Sequence, residues 1–306
     1  MADSEVDQRS RLKGLVSRWV VKLVGQLPLP VGRSLGGCLG WLNYRLNSSG
    51  TCVTRINLQR CFPEMLPAEC EALVKQSMIE TGRLGTELPA VWVKSGEWVL
   101  RRIQRVHNRG LLDNYLAREE GLVLLVPHLG NWEVFASWLP RLTALTALYQ
   151  PPRIAAMDSL IRDSRQRHGA KLVPTDRRGV MALFKSLKAG GTTFILPDQV
   201  PDKGAGEHAP FYGIPALTMT LVHSLIDRTG CRVLMAYGKR VAGGFELVFK
   251  EPDPAIYSPD QQTSLAAMNR SVADCVADCP SQYQWEYKRF KKQPAGVEKV
   301  YPKKLK

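Results

Sequence analysis

The chain has 306 residues, and its 42 Lys and Arg against 28 Asp and Glu give a formal net charge of +14. A hydrophobic fraction of 44% and a charged fraction of 23% are ordinary for a globular protein and exclude disordered, collagen-like and coiled-coil chains. The seven cysteines form no C-x-x-C pair, so we expect neither a disulfide framework nor a zinc site. The cysteines instead indicate a reducing cytosolic environment. The charge indicates an anionic partner, and composition leaves nucleic acid, a membrane surface and an acidic substrate or protein open.

The first predicted element is an amphipathic helix over residues 1–26, which we expect to associate with a membrane. Its apolar residues recur at the spacing of one helix face, and basic residues border that face. These are Leu12, Leu15, Val16, Trp19, Val20 and Leu23, bordered by Arg11, Lys13, Arg18 and Lys22. The pattern suits a helix lying in an anionic membrane interface, but it equally fits a surface helix packed on its own domain. No stretch of the chain has the roughly 20 apolar residues of a spanning helix.

The next region, residues 27–120, is expected to form the helical part of a domain that extends to residue 290. A second apolar segment at about 35–46 contains Gly36, Gly37 and Gly40, which permit close backbone contact with another helix or with lipid. Further helices are predicted over residues 51–61 and 67–92. The first 110 residues are therefore predicted to be helical.

From residue 121 the pattern changes to that of an α/β fold. Residues 122–126 form a continuous apolar run, which is typical of a strand buried on both faces. Further strands are predicted over 145–149, 171–174, 192–196, 232–237 and 245–249, and helices near 131–142, 154–168, 177–189, 216–229 and 261–277. This alternation predicts a mostly parallel sheet flanked by helices over residues 121–290. The remainder, 291–306, is predicted to be a basic tail.

The strongest candidate for chemistry follows the first buried strand. His128 ends that strand, and Glu133 lies five residues later, after a glycine turn, at the start of a predicted helix. The two side chains meet if Glu133 lies in the first helical turn, where its carboxylate would fix the imidazole tautomer and raise its basicity. Backbone N–H groups at the helix start could also stabilise an oxyanion. A structural histidine, with a glutamate that complements the helix dipole, explains the same pattern.

A second pair of polar residues, Asp198 and Gln199, follows another predicted strand. Parallel strands present their carboxyl ends at one edge of a sheet, where open α/β sheets bind ligands, so we expect this pair to face the edge that carries His128. The segment 200–213, which includes Lys203, is long, rich in Gly and interrupted by Pro, and it is predicted to cover a substrate. The alternative is an ordinary surface connection in which Asp198 caps a turn.

Three arginines, Arg162, Arg165 and Arg167, lie close together in the chain. Their spacing does not place them in one tight stripe, so a solvated, basic helix end is the plain interpretation. Arginines near the sheet edge could instead hold phosphate or carboxylate groups through two parallel hydrogen bonds. The sequence contains no P-loop, dinucleotide-binding, nucleophile-elbow or zinc-protease motif, and no Cys or Ser lies in a recognisable nucleophile setting.

Together these motifs resemble the late acyltransferases of lipid A biosynthesis, the lauroyl and myristoyl transferases of Gram-negative bacteria. The resemblance covers roughly residues 27–290 and depends on the joint order and spacing of five motifs. They are Asn57-Leu58 with Cys61-Phe62-Pro63, His128-Leu129-Gly130-Asn131-Trp132-Glu133, the basic stretch from Arg162 to Gly169, Leu196-Pro197-Asp198-Gln199, and Ala209-Pro210-Phe211-Tyr212-Gly213 with Pro215-Ala216.

The resemblance implies a membrane-bound enzyme with a glycerolipid-acyltransferase-like α/β fold, whose shared pattern is H-x-x-x-x-D/E. By analogy, His128 is the base that deprotonates the acceptor hydroxyl, and Glu133 orients and charges it. Arg165 would stabilise the oxyanion or hold a phosphate. Further substrate contacts are implied for Asn131, Arg162, Arg167, Asp198, Gln199 and Lys203. No metal or organic cofactor is implied, because the thioester donor supplies the activation.

The implied partners are acyl carrier protein as donor, a phosphorylated glycolipid as acceptor, and the anionic cytoplasmic face of the bacterial inner membrane. The last twenty residues carry eight Lys or Arg against one Glu, which is half of the net charge. This distribution favours anionic lipid over nucleic acid, for which no basic–aromatic motif is present. Two alternatives stay open: the same chemistry on a lysophospholipid or another glycolipid, and a non-catalytic, basic membrane-binding protein.

Overall fold

The computed structural model describes residues 2–118, 120–152 and 154–302, with side chains described from residue 14 onward. The helices in these ranges are α1 Ala2–Gln26, α2 Leu29–Arg45, α3 Ser49–Cys61, α4 Pro67–Val93, α5 Gly96–Leu100, α6 Arg109–Leu116, α7 Val134–Trp138, α8 Asp158–Gln166, α9 Arg177–Lys188, α10 Leu221–Thr229 and α11 Gln261–Asp278. The strands are β1 Ile103–His107, β2 Leu122–Leu125, β3 Thr146–Tyr149, β4 Lys171–Pro174, β5 Thr192–Ile195, β6 Gly206–Phe211, β7 Ile214–Met219, β8 Arg232–Val241 and β9 Gly244–Lys250.

The central sheet has five strands in the order β1-β9-β8-β2-β5. The pairs β1–β9, β2–β5 and β2–β8 are parallel, whereas β8 and β9 form an antiparallel hairpin. A short parallel pair, β3–β4, lies beside β5 through a bridge between Leu145 and Thr192, and β6–β7 is a separate antiparallel hairpin. The prediction of an α/β fold with a mostly parallel sheet flanked by helices is confirmed.

The continuous apolar run in β2 is explained by burial on both faces of the sheet. Val123 and Leu125 pack into the core on one face, with residues of α9, α10 and α11. Leu122 and Leu124 point to the opposite face and pack with residues of α4, α6 and α7. Because side chains alternate between faces, a strand that lies between two cores needs an apolar residue at every position.

Two predicted assignments are wrong. β1 lies within the region predicted to be helical, because it is an edge strand whose Gln104 and Arg105 are exposed and interrupt its apolar pattern. The helix predicted over 216–229 begins at Leu221, since 214–219 pairs with β6. Tyr212 and Gly213, with φ of 51° and 75°, form the hairpin turn. Six of the fourteen residues of the predicted covering loop, 206–211, therefore form a β-strand.

The described part of the predicted basic tail returns to the domain and packs against α3. The hydroxyl of the buried Tyr301 donates to Asn57 Oδ1 at 2.6 Å. Asn57 Nδ2 in turn donates to the carbonyl of Trp285 at 2.7 Å. Asn57, which belongs to the first of the five motifs that carry the resemblance, thus holds two parts of the C-terminal segment. The tail residues Lys303, Lys304 and Lys306 lie outside the described residues.

The α2 and α4 helices pack at very close range, and glycines make this contact possible. A Cβ atom at Gly36 would overlap the carbonyl oxygen of Gly82, and one at Gly82 would overlap the carbonyl oxygen of Gly36. Gly40 lies equally close to the backbone of α4, whereas a Cβ at Gly37 would meet Arg83 at an ordinary distance. The predicted close backbone contact with another helix is therefore confirmed for Gly36 and Gly40.

We expect Gly82→Ala to destabilise the protein by about 1–3 kcal/mol, because α2 and α4 must separate to admit the methyl group. Gly85→Ala is the matched control. It lies one turn further along α4, where a Cβ meets nothing within 4 Å, so the helix propensity of alanine should leave it neutral or stabilising by up to about 1 kcal/mol. Urea unfolding monitored by circular dichroism measures both. Equal effects of the two variants would contradict the close-packing explanation.

Apolar side chains on the outer sides of α1 and α2 form a surface that we call the N-terminal apolar face. Its residues are Leu15, Val16, Trp19, Val20, Leu23, Val31, Leu35, Leu39, Trp41, Leu42 and Leu46, and Trp19 is 64% exposed. The inner side of α1 uses small residues, since Gly25 contacts α4. The helix thus packs on its domain and also exposes its apolar face. Arg11, Leu12 and Lys13 lie outside the residues with described side chains. None of the described helices has the length and hydropathy needed to cross a bilayer.

Candidate active site

His128 lies in a loop after β2 that is held on both sides by backbone hydrogen bonds. The Gly130 N–H donates to the Gln282 carbonyl at 3.0 Å, and the Asn131 N–H donates to the Gly238 carbonyl of β8 at 2.8 Å. Gly130 has a φ of +63°, and a Cβ there would overlap the Gly238 carbonyl. Only glycine fits this turn, and the loop is anchored before any substrate binds.

The imidazole of His128 is paired with Asp198, which follows β5. The two strands β2 and β5 are parallel neighbours, so their carboxyl ends meet, as predicted. His128 Nδ1 lies 2.8 Å from Asp198 Oδ1, and the His128 backbone N–H donates to Asp198 Oδ2 at 2.9 Å. An Nδ1–H that donates to the carboxylate leaves Nε2 as the proton acceptor of the neutral ring. The side chain of Asp198 is 3% exposed and that of His128 is 13% exposed. The imidazole, which carries Nε2, is therefore the more accessible of the two groups.

Asp198 is held in its ionised form by the groups around it. Burial acts to raise the pKa of Asp198, but the charge and hydrogen bonds of His128 and the charge of Arg289 outweigh it and place this pKa below its ordinary value. Arg289 is buried and lines, with Asp198, a cavity of about 10 Å³. Such a volume accommodates about one water molecule. The carboxylate therefore orients the imidazole and stabilises it when it becomes protonated.

Glu133 does not supply the carboxylate that faces His128, which corrects the predicted contact. Both of its oxygens accept from Arg165 of α8: Oε2 from Nε at 3.1 Å, and Oε1 from Nη2. Glu133 is buried at the start of α7, and a buried carboxylate requires a cation or several hydrogen bonds. The planar guanidinium satisfies both oxygens at once. His128 instead receives a carboxylate from the neighbouring parallel strand.

Arg165, which the resemblance implied as an oxyanion or phosphate binder, is held in place by its neighbours and stays charged. Its guanidinium lies 5.6 Å from the centroid of the Tyr149 ring. Burial acts to lower the pKa of Arg165, but the charge and hydrogen bonds of Glu133 outweigh it and raise this pKa. Its Nη1 makes no hydrogen bond with the described residues. Arg165 is therefore a fixed, permanently charged donor with an unused N–H group.

The other two arginines of the basic stretch have partners of their own. Arg162 forms an ion pair with Asp158 at 3.3 Å on the surface of α8. Arg167 donates to the carbonyls of Lys94 and Trp92, where α4 ends. The last carbonyls of a helix lack internal partners, and an arginine there caps them. A substrate contact for these two arginines stays a prediction.

The remaining predicted residues divide between the interior, the site and the surface. Asn131 is fully buried, and its Nδ2 donates to Glu87 Oε2 at 3.3 Å. Gln199 Nε2 donates to Gln284 Oε1 at 2.9 Å, which ties the end of β5 to the C-terminal segment. Lys203 lies exposed in the turn before β6, and no ion pair joins it to the described part of the chain. Gln199 is linked to His128 on two sides, because it follows Asp198 in the chain and its partner Gln284 donates to the His128 carbonyl.

The segment 282–289, which no sequence motif predicted to be part of the site, supplies polar groups beside His128. The Gln284 N–H donates to the His128 carbonyl at 3.1 Å, and Glu286 accepts from Thr81 of α4 at 3.1 Å. Burial raises the pKa of Glu286, and the charge of His128 acts in the opposite direction, so the two groups are near each other. This segment is mostly irregular and has no helix or strand period that could reveal it.

An apolar groove between α1, α2 and α4 extends to Thr81, and we call it the α1–α2–α4 groove. Its volume is about 400 Å³, and it is lined by Val20, Val21, Val24, Leu35, Leu39, Gly40, Asn43, Met78, Thr81, Gly82, Gly85, Thr86 and Pro89. Because Thr81 also donates to Glu286, the groove reaches the group of residues that surrounds His128. Thr81 therefore links the groove to a residue whose pKa responds to the charge of His128.

Residues 12–292 match the bacterial lipid A biosynthesis acyltransferase family. The chain belongs to this family. A lipid A biosynthesis lauroyltransferase of Escherichia coli (strain K12) is 28% identical over 288 residues, which cover 92% of each chain. A palmitoleoyltransferase of the same organism is 24% identical over 294 residues, covering 94% of this chain and 92% of the relative. A myristoyltransferase is 24% identical over 279 residues, covering 87% and 83%.

Membership in this family confirms the resemblance that the motifs indicated. The chain is an acyltransferase of lipid A biosynthesis, similar to enzymes of Gram-negative bacteria. The three relatives are named for three different acyl chains at comparable identity. Family membership alone therefore does not specify the length of the transferred chain.

Proposed function

We propose that this acyltransferase moves a fatty acyl chain from an acyl carrier protein thioester to a hydroxyl of a lipid A precursor, with His128 as general base and Asp198 as its orienting partner. The observation that carries the proposal is the His128–Asp198 pair at the carboxyl edge of the sheet, in a chain of this family. Family membership favours a lipid A acceptor over a lysophospholipid or another glycolipid.

The reaction uses the two ring nitrogens of His128 for different tasks. Nε2 removes the proton of the acceptor hydroxyl, and the resulting alkoxide attacks the thioester carbonyl. Nδ1–H stays bound to Asp198, which stabilises the imidazolium that forms. When the tetrahedral intermediate collapses, the C–S bond breaks and Nε2–H returns the proton to the leaving thiolate. The thioester supplies the activation, so this scheme includes no metal or cofactor.

We assign Arg165 and Glu133 to oxyanion stabilisation rather than to the base. Arg165 has an unused Nη1 donor, and Glu133 fixes the guanidinium through two parallel hydrogen bonds. A positioned cation stabilises negative charge in the transition state without reorganising during the reaction. In this scheme Glu133 is a positioning residue that acts through Arg165.

The α1–α2–α4 groove is the proposed site of the fatty acyl chain. Its lining is apolar, and at Thr81 it reaches the residues around His128. If a methylene group takes about the 30 Å³ of a liquid water molecule, the groove accommodates on the order of a dozen carbons. The fatty acyl chain must enter the groove from an apolar phase or from acyl carrier protein. The N-terminal apolar face borders the groove through Val20, Leu35 and Leu39.

Gly85→Leu is expected to shift the preferred acyl chain to a shorter one by roughly two to four carbons, because the leucine side chain fills about that much groove volume. Space at Gly85 is open, so folding should be retained. Gly110→Leu is the matched control, since Gly110 in α6 is equally unobstructed and does not line the groove. Transfer assays with thioesters of graded length measure the preference. An unchanged preference in Gly85→Leu would refute the assignment of this groove.

The N-terminal apolar face is the proposed attachment to the cytoplasmic face of the inner membrane. Exposed apolar patches of this kind mark membrane or protein contacts, and Arg18 and Lys22 lie beside it to meet anionic lipid. An attached enzyme presents its groove to the bilayer that contains the acceptor. Acyl carrier protein, which is acidic, would approach the basic surface of the protein from the cytosol.

Mass spectrometry of lipid A from a strain with and without this protein tests the proposed function. We expect lipid A to lose one acyl chain when the protein is absent and to regain it when the wild-type chain is restored. The mass difference also reports the length of the chain. Unchanged lipid A together with altered phospholipids would move the acceptor to a lysophospholipid and contradict the proposal.

A further inference from the structure

A cluster of arginines, which we call the arginine pocket, lies where α2 and α4 meet the turn between β8 and β9. The cavity has a volume of about 430 Å³. Its lining includes Arg33, Arg83, Arg240, Glu80 and the turn residues 241–243. The pocket is separate from the proposed catalytic pair and from the α1–α2–α4 groove, and it has no role in the scheme above.

The carboxylates in and beside the arginine pocket are fully engaged. Glu80 accepts from Arg83 at 2.5 Å and from Arg240 at 2.8 Å. Glu87 accepts from Arg33 at 2.5 Å and from Arg240 at 2.7 Å. Three guanidinium groups therefore face two carboxylates, and one positive charge is left over. A partly buried cation without a counter-charge is costly, which favours an anion in the pocket.

Arg240 provides a second, independent observation. Its side chain is buried, and its Nη2 has no hydrogen-bond partner. Native proteins leave few buried donors without a hydrogen-bond partner, so such a group indicates a missing acceptor. Burial lowers the pKa of Arg33, and the nearby charge of Arg240 lowers it further, although Glu87 acts to raise it. Glu87 and Glu80 raise the pKa of Arg240 and keep it charged, while its Nη2 still has no acceptor.

The arginine pocket lies beside the loop that carries His128. Gly238 of β8 binds the Asn131 N–H, and Arg240 lies two residues further along the strand, or about 7 Å. Gln282 connects the two sites, because its carbonyl accepts from the loop and its side-chain amide binds the backbone of Arg240 at 2.8 and 3.0 Å. A ligand held in the pocket would therefore lie beside the strand and the segment that anchor the His128 loop.

We propose that the arginine pocket binds the phosphate group of the glycolipid acceptor and thereby positions its hydroxyl at His128 Nε2. This inference rests on the proposed function, which supplies the acceptor. Guanidinium groups bind phosphate through parallel, charge-assisted hydrogen bonds. Arg240 Nη2 offers a preorganised buried donor. Arg83, whose guanidinium bonds to Glu80 among the described residues, adds a donor at the more accessible rim.

The first test replaces Arg83, which is 38% exposed and is the least buried of the three arginines. We expect Arg83→Gln to raise the KM for the phosphorylated acceptor about tenfold or more, since a charge-assisted hydrogen bond is lost. The kcat and the KM for a dephosphorylated acceptor should be unchanged. Arg178→Gln is the control, because it removes the same charge from a remote, 88% exposed position. An equal rise with both acceptors, or in both variants, would overturn the proposal.

The second test adds a carboxylate to the pocket through Ser34→Asp. Ser34 is exposed and lines the pocket. The new carboxylate should neutralise the excess positive charge and thereby raise the melting temperature. It should also compete with phosphate for the arginines and thereby raise the KM for the phosphorylated acceptor. Structural damage would lower the melting temperature instead. A lower melting temperature, or an unchanged KM, would contradict phosphate binding at this place.

A binding measurement separates the failure of this inference from failure of the proposed function. Inorganic phosphate is titrated by calorimetry into the full-length wild type and into Arg83→Gln. We expect saturable binding that is lost in the variant. If the wild type transfers no acyl chain to either acceptor, the proposed function fails, and phosphate binding alone decides the pocket. Absence of phosphate binding to the wild type, or equal binding to both proteins, overturns the inference.

Discussion

His128→Ala is expected to lower kcat by about 10²- to 10⁴-fold, which is the contribution of a positioned general base. Without Nε2 the proposed scheme has no base for the proton of the acceptor hydroxyl. The loop itself should survive, because it is held by backbone hydrogen bonds at Gly130 and Asn131 rather than by the imidazole. Acyl transfer from a thioester to a lipid A precursor, measured at saturating substrate, gives the loss directly.

The control for this variant is His223→Ala, which removes a histidine of α10 away from the site. Its kcat should match that of the wild type. Vesicle binding should be the same in both histidine variants, since the N-terminal apolar face is untouched. Turnover within a few-fold of wild type in His128→Ala would remove His128 as the base and leave the family assignment without this mechanism.

Asp198→Asn is expected to lower kcat on the order of 10³-fold or more, by analogy with the tautomer error that the same change causes in a Ser-His-Asp triad. Asp198 accepts two hydrogen bonds, from the ring Nδ1 and from the backbone N–H of His128. An amide offers one acceptor and one donor group, so either the backbone N–H loses its partner or the ring proton moves to Nε2. In the second case the base is blocked. Single-turnover kinetics measures the chemical step.

Glu133→Gln provides the comparison that assigns each carboxylate to its partner. This change weakens the pairing of the buried Glu133 with the half-buried Arg165, so we expect a lower melting temperature and a smaller loss of kcat than in Asp198→Asn. On acidification, Asp198→Asn should lose less of its unfolding free energy than the wild type does, because it lacks the carboxylate that becomes protonated. If Glu133→Gln instead reproduces the kinetic defect of Asp198→Asn without loss of stability, Glu133 is the functional partner of His128.

Stability at acid pH tests Asp198 independently of catalysis. Its pKa is lowered in the folded protein, so the carboxylate stabilises the native state above the pKa of about 4 that aspartate has in an unfolded chain. This contribution is lost as the pH falls through the lowered native pKa. The difference in unfolding free energy between wild type and Asp198→Asn should therefore shrink below about pH 4. A difference that grows on acidification would contradict the sign of the shift.

Much of the α/β part could be predicted because its signals are local. The apolar run of β2 reports burial on both faces, and the segment 171–174 agrees with β4 at both ends. β1 could not be predicted, since an edge strand with exposed polar residues does not differ in pattern from a short helix or a loop. The β6–β7 hairpin was missed because its Pro and Gly residues are typical of loops, and only cross-strand pairing makes them strands.

The sequence by itself determined the family, the class of fold and the edge of the sheet at which His128 and Asp198 lie, because motifs and strand ends are properties of short segments. The tertiary structure decided which carboxylate faces the imidazole. Glu133 is five residues from His128 and Asp198 is seventy, yet the parallel register of β2 and β5 places the distant one in contact. Burial then joined Glu133 to Arg165, and contact across helices created the groove and the arginine pocket. Such pairings depend on distances in space, which the order of residues along the chain does not contain.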